Sequence, residues 1–308
     1  MGKTRVLILL ALATCFIGAN AFASKNDFEL WRMCQRDTSQ SEDLSGWCIA
    51  MPGNDFQVQP DQKKFKVFAR QLTAALAPKY HAAADTLGWS GWNLGIEFTV
   101  NDIPGGDQWN DALEGVERFA ARRVGIDKEN KAPNLYNTVQ FHARKGLPYS
   151  LELGFIMTYI LNSEMFMTGI EGKFSLLEGF RDHEILKYFP DVALRFNYSH
   201  LFGSNDLDFD IVGGDISVSK IFGLGGMVQL TPYVGYSLVY SIAAPKVMNP
   251  TFDVNYNSRL LILKKATQIV HRGFFGLRLI AYYVSFTPEI IVTGEKVTSY
   301  SFNLGADF

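Results

Sequence analysis

"SYSFNLGADF", residues 299–308, alternates without a break: Tyr300, Phe302, Leu304, Ala306 and Phe308 on one side, Ser299, Ser301, Asn303, Gly305 and Asp307 on the other. Period two over this length predicts a β-strand with one apolar and one small or polar face. The last residues of most domains fray, because nothing ties them to a core. Here the pattern predicts that the chain is held in a sheet as far as Phe308.

The same alternation recurs upstream as far as Gly88. Trp92, Leu94, Ile96, Phe98 and Val100 oppose Asn93, Gly95, Glu97 and Thr99; Leu135, Val139, Phe141 and Ala143 oppose Thr138, Gln140, His142 and Arg144. Tyr149, Leu151, Leu153, Phe155, Met157 and Tyr159 oppose Ser150, Glu152, Gly154 and Thr158. Further runs lie near Phe166 to Leu176, in "DVALRFNYSHLF", in "VQLTPYVGYSLVYS", in "HRGFFGLRLIA" and in "VSFTPEIIV". In "LDFDIVGGDISVSK" the apolar parity changes from Leu207, Phe209 and Ile211 to Ile216 and Val218, which predicts a glycine bulge at Gly213 and Gly214. About ten strands result, each longer than the five or six residues usual in soluble sheets and long enough to cross a bilayer at a tilt.

Composition decides which face is inside. Aromatic residues make up 14% of the chain and charged residues only 19%, below the usual quarter. The small and polar faces could not fill a dry soluble core, whereas the apolar faces, with Tyr or Trp near strand ends, suit lipid. The expected fold is therefore all-β: an antiparallel transmembrane β-barrel of about ten strands (8–12), residues 90–308, preceded by a short helical or irregular segment, 24–89. In a bilayer only helices and closed barrels satisfy every backbone group, so the final strand must pair with the first.

Lys3 and Arg5, the apolar "VLILLALATCFI" and the small-residue "GANAFA" read as a secretory signal peptide over 1–23, cut before Ser24. A lipobox at "LATC" is the rival reading, weakened by Thr14 before Cys15. Cys34 and Cys48 then remain, and outside the cytoplasm a disulfide is expected. Residues 61–77 place Phe65, Phe68, Leu72 and Ala75 at helical spacing, with Lys63, Lys64, Lys66 and Arg70 around them; Pro78 stops this amphipathic helix. Its basic face could meet anionic headgroups, or simply be solvated. The segment is expected to lie in the periplasm or to plug the barrel from below. "DQWNDALEGVERFAARR" also carries helical spacing at Trp109, Leu113, Val116 and Phe119, in a long first connection. Between the fourth and fifth strands "EGFRDHEILKYFP" is long for an inner turn.

The terminal phenylalanine with alternate apolar residues before it is similar to the assembly signal of Gram-negative outer-membrane β-barrel proteins. That resemblance implies that Tyr300, Phe302, Leu304 and Phe308 are read by the barrel-assembly machinery and that the barrel sits in outer-membrane lipid. "DTLGWSGWNLGIEF", "ARKGLPYSLELG", "NSEMFMTGIEGKF", "PDVALR", "GSNDLDFD", "DISVSKIFG" and "LTPYVGY" resemble a group of outer-membrane barrels of deltaproteobacterial type, over roughly Asp85 to Ser241. This implies fold and location and supplies no activity.

No enzymatic signature emerges. A His with a Ser two residues on, which would share a strand face, is missing, as is a G-x-S-x-G elbow. The acidic run of Asp206, Asp208 and Asp210 lacks the glycine and glutamate of a calcium loop, so no metal is expected. His200 and Asp206 near one hairpin are thin grounds for a rim-site hydrolase. Net charge is −2, with no basic excess to hold nucleic acid, and no cofactor motif is present. The expected lumen lining is Glu97, His142, Arg144, Glu152, Glu171, Lys173, Arg195, Asp208, Asp210, Arg278 and Glu289, with acids in excess. Such a barrel is expected to be narrow or occluded, passing at most small polar solutes or cations, or else to act through its outer loops without conducting.

Overall fold

The computed structural model describes residues 25–35, 48–79, 81–116, 131–177, 189–224, 228–246, 248–252 and 258–308. Residues 1–23, residues 117–130 of the first connection with Phe119 among them, and 178–188 of "EGFRDHEILKYFP" lie outside these.

Ten long antiparallel strands make the barrel: β1 (Trp92–Asp102), β2 (Leu135–Leu147), β3 (Leu151–Ile160), β4 (Phe166–Leu177), β5 (Asp191–Phe202), β6 (Leu207–Ser219), β7 (Val228–Pro245), β8 (Ala266–Ala281), β9 (Val284–Thr293) and β10 (Thr298–Asp307). Each pairs with its sequence neighbour, and β10 closes the ring on β1 from Thr298 opposite Asp102 to Asp307 opposite Asn93. Beyond that register, Trp92 and Phe308 exchange backbone hydrogen bonds of 2.6 and 2.9 Å. The terminal alternation therefore is a strand paired to its last residue.

Trp92 and Phe308 define one end of the barrel, called here the terminal end; the opposite end carries the long connections 103–134 and 246–265. Tight turns join several strands, with left-handed backbone at Tyr149 and Ser150, at Tyr282 and at Lys296. At Gly203 the same left-handed conformation coincides with a crowded site, where a Cβ would meet the Glu164 carbonyl oxygen at 2.5 Å. Only glycine satisfies both conditions.

No bulge occurs at Gly213 and Gly214. β6 keeps one unbroken register with β5 and with β7, so Leu207, Phe209 and Ile211 point inward and are fully buried, while Val212 and Ile216 are exposed. The reason is what the barrel contains.

Helix α1 (Gln62–Leu76) starts at Asp61, whose Oδ1 accepts the Lys64 N–H at 2.9 Å, a helix N-cap. It ends before Pro78, which forces Ala77 into extended backbone. Its last six residues, Gln71 to Leu76, are buried on every side, because the helix enters the loop end of the barrel. Phe65, Phe68, Leu72, Leu30 and Met33 form one core with the inward Phe209, Ile211, Val239 and Val270. Phe68 stacks edge-on against Phe28 and Trp109, with centroids 5.4 and 5.0 Å apart. At about 1.5–3 kcal/mol for each fully buried large apolar side chain, this core firmly holds the helix in place.

Trp109 is carried by α2 (Asp107–Asn110), far shorter than the helix its spacing predicts. A cap covers the loop end: the short strands Ala50–Met51 and Asn54–Val58 join Ser258–Leu261 and Met248–Phe252 in a second sheet. Cys34 and Cys48 are bonded in this cap, their Cα atoms 5.5 Å apart.

Candidate functional site: the filled lumen

From Ala77 the chain leaves α1, and its described residues 81–87 pass through the barrel interior without regular secondary structure, His81 in left-handed backbone, before the chain runs out to Gly91 and β1. Inward side chains grip it along the whole path. Arg272 on β8 donates to the carbonyl oxygens of Ala77 and Pro78, at 3.1 and 3.2 Å, and to Ser237 Oγ at 3.2 Å. Gln140 donates to Lys79 O at 3.2 Å, and Lys79 turns back to cap the helix through Ala75 O and Ala77 O, at 2.7 and 3.0 Å. Lower down, Arg195 reaches Ala82 O at 3.3 Å, and Lys173 reaches Ala83 O at 3.2 Å and Asp85 O at 2.6 Å. The Ala84 N–H donates to Ser219 Oγ at 3.0 Å and the Leu87 N–H to Glu152 Oε1 at 2.6 Å.

His81 sits at the centre, fully buried. Its Nδ1 lies 3.2 Å from Thr287 O and its Nε2 3.0 Å from Glu97 Oε2, while its backbone N–H donates to Glu289 Oε2 at 3.3 Å. Around it Tyr233 donates to Glu289 at 2.6 Å, and Thr99 and Gln140 donate to Glu97. Glycine makes room for this layer: a Cβ at Gly95 would collide with the His142 ring.

Buried charge pairs continue toward the terminal end. Arg144 bonds Glu171, Lys173 lies 2.9 Å from Glu152, Arg195 lies 3.8 Å from Asp215, and Arg278 lies 2.8 Å from Asp307. Asp307 also accepts from Asn93 at 2.6 Å, and Asn93 Oδ1 lies 2.9 Å from His142 Nε2. Such pairs add little net stability compared with an apolar core, but removing one partner is costly. They specify one path for the inserted chain. The gap bounded by Ala82, Arg144, Glu152, Glu171, Lys173 and Arg195 admits no water-sized sphere.

Of the predicted lining, Glu97, His142, Arg144, Glu152, Glu171, Lys173, Arg195, Arg278 and Glu289 point inward and are buried. Asp208 and Asp210 do not. Both lie on the outer face, Asp208 3.2 Å from Lys246, and Asp210 2.8 Å from both the Tyr198 hydroxyl and His200 Nδ1. The apolar core inside the loop end takes the opposite parity of β6 and turns these acids outward. The expected excess of lumen acid disappears with them, because Arg272 and Lys79 join the inside. Arg272 shares strand parity with Arg278, a signal available in the sequence; the lumen position of Lys79 and His81 left no local signal. The segment expected to plug the barrel does occupy its interior, its helix lying at the loop end. Tyr300, Phe302, Leu304 and Phe308 are all exposed on the outer face.

No family model matches the chain, and no curated protein is similar to it in sequence. Several solved barrels resemble it in structure. The KdgM porin is 6% identical, with a TM-score of 0.33 and coverage of 70% of this chain and 99% of that one. Ail, the attachment invasion locus protein of Yersinia pestis, is 9% identical, with a TM-score of 0.28 and coverage of 71% and 99%. The outer membrane protein Omp33 of Acinetobacter baumannii is 8% identical, with a TM-score of 0.26 and coverage of 72% and 99%. What each of these binds or passes stays with that protein. The fold and lumen of this chain define a closed ten-stranded antiparallel barrel, apolar outside and occupied by its own N-terminal segment.

Proposed function

We propose that this chain is an integral outer-membrane barrel of a Gram-negative bacterium that is sealed at rest and acts by holding its loop-end cap at the outer surface. The inserted residues Lys79 and His81 to Leu87, hydrogen-bonded to the lumen wall at Lys79, His81 to Asp85 and Leu87, carry this reading. Membrane placement is supported by the exterior: Leu153, Ile170, Phe196 and Leu304, among others, are about half exposed or more, a cost that surrounding lipid removes. Trp89, Trp92, Tyr149, Phe189, Phe222, Tyr282, Tyr283 and Phe308 are exposed at the terminal end, as an interfacial girdle requires. Lys145 lies over the Trp92 ring, 4.9 Å from its centroid. Long connections at the opposite end favour an outward-facing cap. On this reading Tyr300, Phe302, Leu304 and Phe308 meet outer-membrane lipid and are available to an assembly machinery.

A gated pore is the second reading, favoured by the polar wall behind the inserted segment. Ten strands spaced about 4.8 Å apart and tilted by about 40° enclose a ring roughly 20 Å across between backbones. Inward side chains leave space for one extended chain. Planar-bilayer recording separates the readings: the intact protein is expected to be silent, and protein lacking 25–88 to pass current in steps. Steady conductance by the intact protein would overturn the sealed state.

A further inference from the structure

The part of α1 that protrudes from the barrel exposes Lys63, Lys66, Val67 and Arg70, spaced at i, i+3, i+4 and i+7 and so aligned in one stripe. Two contacts fix where that stripe lies. Gln62 exchanges hydrogen bonds with the backbone of Lys264, at 2.8 and 2.9 Å, just before β8. Arg70 pairs with Glu295 at 2.7 Å, in the turn between β9 and β10. The stripe therefore runs between the rims of β8 and β10, and those rims add the exposed Lys264, Lys265 and Lys296. Of the acids near this face, Glu295 is taken up by Arg70 and Asp102 lies beside it at the end of β1; Asp206 and Asp208 lie at the β5–β6 side. A chain of net charge −2 thus carries a concentrated cationic face at one place on its rim.

Directly beneath that face lies the apolar wall. Ile269 on β8, Val292 on β9 and Tyr300 on β10 are exposed on the outside of the same strands, and Val67 and Ile262 add exposed apolar surface at the rim itself. Cations above an apolar band, with scattered apolar side chains between, match the headgroup level of a leaflet whose lipids carry negative charge.

We infer that this face binds the phosphate groups of an anionic lipid in the surrounding leaflet. The inference rests on the membrane placement proposed above, but not on the sealed lumen. A free phosphate would meet the same cations without touching the apolar band, so the band favours the lipid.

The test uses the full chain in detergent micelles, titrated with diphosphoryl lipid A, with dephosphorylated lipid A and with inorganic phosphate. The variant replaces Lys63, Lys66, Lys264, Lys265 and Lys296 by Gln; Lys145→Gln, at the terminal end, is the control. Each lysine near an anionic surface contributes roughly a factor of five, reduced by salt, so the five together should weaken binding of the phosphorylated lipid by at least about ten-fold. The control should bind as the parent does, and dephosphorylated lipid should bind both proteins weakly. Equal affinity of variant and parent would overturn the inference, as would indifference to the lipid's phosphates. Displacement by inorganic phosphate at matched phosphate concentration would assign the face to free anions instead and also overturn it. The two readings fail separately. A conducting barrel that binds the lipid refutes only the sealed state, and a silent barrel indifferent to phosphate refutes only the lipid face.

Discussion

Arg272→Met tests whether the inserted segment is held by the lumen wall. Methionine keeps an unbranched stem and removes the guanidinium, which donates to Ala77 O and Pro78 O where helix gives way to extended chain. A hydrogen bond to a charged group contributes about 1.5–3 kcal/mol, and two such bonds are lost in a dry site, although Ala77 O keeps Lys79 Nζ at 3.0 Å. Part of this is recovered because a buried cation no longer has to be desolvated. A net loss of about 3 kcal/mol remains a reasonable working figure, equivalent to roughly a hundred-fold rise in the population with the segment released. Ala83 reports the release: it is fully buried against Tyr233, Phe274 and Ile291, so a Cys at that position reacts with a polar maleimide only when the segment leaves. Cys34 and Cys48 are bonded to each other and do not compete, and Cys15 is absent from protein beginning at Ser24. In the Ala83→Cys background, Arg272→Met should raise the labelling rate by about the same hundred-fold while β-sheet content stays unchanged. Equal labelling rates with and without Arg272 would refute the argument that the wall clamps this chain.

Three further outcomes are expected. Phe155→Arg, on the outer face of β3, should destabilise refolding into lipid vesicles by about 2–4 kcal/mol in urea titrations if that face meets acyl chains; an effect within about 0.5 kcal/mol would mean it meets water. Replacing Cys34 and Cys48 by Ser opens a loop of 14 residues' separation and should destabilise the cap by about 3 kcal/mol, seen as faster hydrogen exchange over residues 25–61 with the barrel strands unaffected. In barrel lacking 25–88, Asp208→Asn should leave ion selectivity unchanged and Glu171→Gln should shift it, because only the second carboxylate faces the lumen; a shift with Asp208→Asn would place β6 in the other register.

The strands were legible because a barrel wall has two different solvents on its two sides, and period two records that difference at every position. Ten runs, their pairing with sequence neighbours and the closing of β10 on β1 all follow from that local signal. So does the inward parity of Glu97, Arg144, Glu171 and Lys173, which sit among small polar residues where the inserted chain is itself mostly backbone and alanine. The inference failed at Asp208 and Asp210 for a definite reason. It assumed one polarity for the whole interior, whereas α1 makes the loop half of the lumen an apolar core. There Leu207, Phe209 and Ile211 belong inside, and the parity change taken for a bulge is the boundary between the two halves.

The path of the N-terminal segment was beyond the sequence. Arg272 meets Ala77 across a separation of 195 residues and Glu289 meets His81 across 208, and no periodicity links positions so far apart. The sequence by itself determined the wall, since side-chain alternation along a strand is a local property. Only the tertiary structure decided what fills it, because that depends on which distant backbone groups the lumen's buried charges find as partners.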